Sequence, residues 1–96
     1  MTVLAAVKAR CGIPESVTIY DATELVPLIC DAIKDMAMAG VPTDILPINE
    51  RVEEYDPRTL TAIVLYVQMY RGNDRSDTNR YKTMYRSKIF KLMLEG

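Results

Sequence analysis

Histidine and tryptophan are absent from this 96-residue chain, phenylalanine occurs once and cysteine twice. Without histidine the sequence lacks the side chain best placed to exchange protons near neutral pH, which removes most catalytic triads and most zinc chemistry. Cys11 and Cys30 form no CxxC pair and lie in unrelated helical patterns, so they read as buried free thiols. Glycine is scarce too. Gly12, Gly40, Gly72 and Gly96 all stand where helices are expected to end, which leaves no glycine-rich loop to hold a phosphate. No apolar run approaches the roughly 20 residues needed to cross a bilayer, and the N-terminus shows no secretory pattern. The expectation is a protein of the cytosol, or one assembled from it, without membrane contact. The carboxylates offer little chemistry of their own: Glu53, Glu54 and Asp56 crowd one stretch instead of converging as a pair, and they match no calcium loop. An enzyme is therefore not expected, nor a metal, a cofactor or a small-molecule substrate.

What is present is the composition of a folded chain, 49% hydrophobic and 26% charged, with enough length for one helical core. The reading is one domain over residues 1–96. Its net charge of −1 conceals an asymmetry. Residues 1–56 carry four basic and ten acidic side chains, and residues 57–96 carry eight basic and three acidic ones. Such halves either attract each other within one molecule or set which face meets which neighbour in a head-to-tail assembly.

Periodicity places four helices. Val3, Leu4, Val7 and Cys11 stand at helical spacing behind Thr2, whose hydroxyl suits a cap, and Gly12 and Pro14 end the segment. Residues 13–20 read as a connecting loop. Leu25, Leu28, Ile29, Ala32, Ile33, Met36 and Ala37 form one apolar stripe of a second helix, starting near Asp21 to Thr23 with Pro27 in its first turn. Gly40 and Pro42 stop it. Asp56 as cap and Pro57 at the first position open a third helix that runs to Arg71, apolar round most of its circumference. Such a helix is either central to the bundle or partly turned to another subunit. After a polar turn from Gly72 to Arg75, a fourth helix runs from Ser76 or Asp77 to about Leu94. Its inner stripe is Tyr81, Met84, Tyr85, Lys88, Ile89, Leu92 and Met93.

Two segments remain outside this core pattern. Residues 41–56 hold Pro42, Pro47 and a run of acids with isolated apolar anchors, a stretch that reads as either a contact arm or a solvated connector. The fourth helix carries Arg75, Arg80, Lys82, Arg86, Lys88 and Lys91, which suits either a solvated basic face or contacts to phosphates. A sequence pI of about 5.3 and a core-facing Tyr81, Tyr85 and Leu92 argue against sequence-specific DNA recognition.

The order of these features resembles the small head-tail connector, or adaptor, proteins of tailed bacteriophages and prophages, also described as DNA-packaging proteins. The resemblance rests on Ala39-Gly40-Val41, then Asp56-Pro57 leading Leu60, Ala62, Ile63, Leu65, Tyr66, Val67 and Tyr70. Gly72 with Asp74, followed by Tyr81, Tyr85 and a leucine-rich end, completes it. It covers nearly the whole chain, although the 41–56 stretch with Pro47 departs from the pattern. The resemblance implies an all-α protein, a compact bundle of about four helices with a long loop, carrying at most a short strand or turn, between the second and third. It further implies a homo-oligomeric ring below the portal protein, meeting a tail-completion protein and leaving a channel for the genome. Its place is then the head-tail junction of the virion, and the host cytoplasm during assembly. The candidate contact residues for a neighbour or the portal are Ile45, Leu46, Ile48, Glu50, Glu53, Glu54, Tyr66, Tyr70, Arg80, Arg86 and Lys91. An acidic arm facing the channel would repel passing phosphates. The competing readings are a general helical interaction module and a small DNA-binding regulator acting through the basic fourth helix.

Overall fold

Thr2 caps the first helix as its sequence predicts: its Oγ1 accepts the Ala5 N–H at 3.1 Å, and α1 runs Val3–Arg10. The computed structural model describes residues 1–71 and 75–94, with the side chains of 75–78 outside that description. The expected turn at Gly72, Asn73 and Asp74, and the side chains of Ser76 and Asp77, therefore lie outside the described residues.

After the loop at 13–20 the chain coils as one π-turn over Asp21–Leu25 and continues into α2, Val26–Ala39. The sequence expects an ordinary helical start here. Pro27, at the second position of α2, follows this wider turn directly and has no N–H to donate back into it. Gly40 ends α2 at φ +103°, a left-handed conformation that side chains with a Cβ resist. Its N–H donates to the Ala37 carbonyl and the Val41 N–H to that of Met36, so two otherwise unpaired carbonyls are satisfied while Val41 is buried.

The long connection contains a single 3₁₀ turn at Thr43–Ile45, and no strand occurs among the described residues. It is held at both ends. The Val3 and Leu4 amides, unpaired within α1, donate to the carbonyls of Val52 and Glu50 at 3.0 and 2.9 Å. The buried Thr59 hydroxyl donates to the Ile45 carbonyl at 2.7 Å.

Asp56 opens α3, Pro57–Arg71, by accepting the Arg58 N–H at 2.8 Å. Packed against α1, α2 and the final helix α4, Arg75–Met93, α3 is the central element. Leu60, Ala62, Ile63, Val64, Leu65 and Val67 are all buried, so most of its apolar surface is used within one molecule, while Tyr70 near its end stays 60% exposed. Each large buried side chain of this core contributes about 1.5–3 kcal/mol. On α4, Tyr85, Ile89 and Leu92 face inward as expected, whereas Met84 and Met93 are 46% and 42% exposed. Those two correct the sequence-drawn stripe, which is wider than the seam α4 presents to α3. Arg71 closes the far end with a 2.7 Å ion pair to Glu24.

Candidate subunit-contact surfaces

The first surface is the arm between α2 and α3. Ile45 and Leu46 are half-buried and pack against the core, and Pro47 is buried, so these residues anchor the arm. Ile48 projects from it with 86% of its surface exposed. Glu53 and Glu54 are exposed, with no ion-pair partner within 4 Å among the described residues. Glu50 is held differently: Oε2 accepts a long 3.7 Å bond from the Cys30 thiol, and Oε1 sits 3.8 Å from a largely solvated Arg51. Burial and then the Glu50 carboxylate push the Cys30 thiol above its usual range. Burial does the same to Cys11, opposed by the Arg71 guanidinium. Both cysteines are half-buried rather than fully buried, and neither is poised as a thiolate.

The second surface is an aromatic groove of about 380 Å³ between α3 and the first half of α4, with Asp35 of α2 in its wall. Tyr66, half-buried, lies 4.8 Å from Tyr70 and 5.3 Å from Tyr85 between ring centroids, the latter edge to face. Tyr85 donates its hydroxyl to Asp35 Oδ2 at 2.7 Å. Burial, reinforced by Tyr70 and the carboxylates of Asp31 and Asp35, pushes the Tyr66 phenol up to about 12. Burial, then the bond to Asp35, raises Tyr85 as well. Tyr70 remains 60% exposed at the rim, beside Lys82 and Arg86.

The third surface lies on the opposite flank of α4. Thr61, Leu65, Thr83, Met84, Lys88 and Lys91 line a groove of about 410 Å³ that contains no carboxylate. Arg80 extends this flank, its guanidinium 5.4 Å from the Tyr81 ring centroid. Arg10 reaches its edge by donating to the Thr61 hydroxyl at 2.9 Å.

The fold therefore brings Tyr66, Tyr70 and Arg86 to one groove, Lys91 to another, and Leu46, Ile48, Glu53 and Glu54 to the arm face. Asp35, Lys82, Met84 and Lys88 join them without having been singled out as contact residues. Phe90 is a further omission, 63% exposed on the same flank as Lys82 and Arg86, and the spacing 82, 86, 90 was the signal that placed it there. No group of three or more metal-ligating side chains comes together among the described residues, and no helix there is long and apolar enough to cross a membrane.

A protein-family model described as "Phage connector protein" matches residues 3–96. No curated protein and no solved structure matches the chain.

Proposed function

The chain belongs to the phage connector protein family, and from that premise we propose that it is a subunit of the head-tail connector. Many copies form a ring below the portal protein, joined on the far side to a tail-completion protein, and the genome passes through the central channel. Its work is structural. The observation that carries this reading is the family match across residues 3–96. The surface supports it. Most of α3 is buried by its own molecule, yet its Tyr70, together with Ile48, Met84, Phe90 and Met93, stays exposed beside unpaired charges, as side chains awaiting neighbours do. Acids predominate on the arm face, where Arg51 is the one base, and bases on the exposed face of α4, which favours repeated contacts between unlike surfaces.

Deleting the gene from its phage tests this. Filled or partly filled heads that fail to join tails are the expected product, with complementation in trans restoring tailed particles. Normal yields of tailed, infectious particles without the protein would remove the proposal.

A further inference from the structure

We propose that the arm of one copy seats on the α3–α4 groove of the next, with Glu53 and Glu54 against Lys88 and Lys91 and Ile48 covering Met84. The inference rests on the connector reading and adds to it the two surfaces that meet.

Charge selects the pair. Glu53 and Glu54 are exposed acids without an ion-pair partner among the described residues and outnumber Arg51, which shares their face, while Lys88 and Lys91 line a groove with no carboxylate in its wall, Asp56 acting on Lys88 from outside it and Arg10 at its edge. The aromatic groove on the other flank of α4 is also partly basic, but Asp35 stands in its wall and Asp31 is close enough to act on Tyr66. An acidic segment would meet like charge there. Apolar surface agrees with charge, since Ile48 at 86% exposure and Met84 at 46% each lack a cover within their own molecule. The arm is also presented ready-made. Its backbone is fixed by the α1 amides at Glu50 and Val52 and by Thr59 at Ile45, so docking orders little additional chain. The residues lining the arm face and those lining the groove are separate sets, so each copy can offer its arm to one neighbour and its groove to another. Repetition of that contact closes into a ring when the rotation per copy permits. In such a ring the arm's carboxylates are neutralised by lysines rather than lining the channel.

The test is charge exchange in the full chain. E53K/E54K and K88E/K91E are each expected to weaken self-association at least tenfold by sedimentation velocity, and to reduce tailed particles when supplied to the gene-deleted phage. An equimolar mixture of the two, or one chain carrying all four changes, regains assembly, because arm lysines then meet groove glutamates. K34E, a charge reversal at an exposed lysine of α2 that lines none of the three surfaces, leaves assembly unchanged. Melting curves confirm folding, and the arm variant keeps the test open if the groove variant fails to fold. Assembly by E53K/E54K equal to the parent overturns the inference, as does loss without rescue on exchange, or an equal loss in K34E. Those failures leave the connector reading standing, whereas tailed particles formed without the protein remove that reading itself.

Discussion

Replacing Lys8 by methionine keeps most of the side chain's packing and deletes its charge. Lys8 is only 3% exposed, and its Nζ donates to the Glu15 carbonyl at 3.1 Å, the Val17 carbonyl at 2.7 Å and Asp21 Oδ2 at 3.2 Å. One ammonium with three protons thus ties the 13–20 loop and the π-turn to α1. Methionine leaves all three acceptors without their donor, beside a carboxylate whose Oδ1 is already buried with no hydrogen-bond partner. Breaking a buried ion pair by removing one member costs about 3–5 kcal/mol. The Asp21 side chain is 20% exposed, so K8M falls at the lower end, about 3 kcal/mol. A chain of this length has on the order of 5–14 kcal/mol in total, so the loss is a large part of its stability. In urea, with a slope of about 1–2 kcal/mol per molar, the midpoint read by circular dichroism falls by roughly 1.5–3 M. Removing the second charge as well, in K8M/D21N, regains part of the loss because no carboxylate is then left unpaired, and the double-mutant cycle measures the coupling. A K8M protein within about 0.5 kcal/mol of the parent, the range of ordinary surface changes, would refute the assignment of Lys8 as the clasp of this loop.

Gly40→Ala costs about 1 kcal/mol through backbone strain at φ +103°, a drop of about 4–8 °C in melting temperature; a new Cβ would meet Met93 Cε at an ordinary 3.6 Å, so packing adds nothing. Thr59→Val keeps shape but strips the Ile45 carbonyl of its donor, costing about 1–2 kcal/mol and speeding hydrogen exchange at the Ile45 and Leu46 amides, with unchanged exchange as the contrary result. Arg58, through side-chain and backbone hydrogen bonds, holds the Asp56 carboxyl at about 2, below the 3.8 of the free group. A depressed folded-state value means that the stabilisation is complete above pH ~4 and is lost as pH falls toward 2, so D56N should melt below the parent at pH 6 and converge with it near pH 2. A gap independent of pH would contradict this.

Thr2, Gly40 and the Asp56-Pro57 pair were legible in the sequence because a cap is a local device, decided within three or four residues. Lys8 was not, since its acceptors lie 7, 9 and 13 residues away and only the folded loop gathers them. The same holds for α1, whose first amides are satisfied by carbonyls nearly fifty residues later, across a stretch that reads as a free arm. The apolarity of α3 announced burial but not by whom, and three helices of its own chain cover all but its Tyr70 end. Tyr66 and Tyr70 share a face by spacing alone, while their meeting with Tyr85 and Asp35 depends on how α4 and α2 pack. On α4 the surplus apolar residues sat in plain view, but a stripe drawn to include Met84 and Met93 hid the fact that each lies exposed at an opposite edge of the seam.

The most direct measurement is an image of the virion neck at side-chain resolution by electron cryomicroscopy. It should show this chain as repeated helical subunits in a closed ring at the head-tail junction, between portal and tail. A neck built without it, or virions in which the chain sits elsewhere or is missing, would contradict the account.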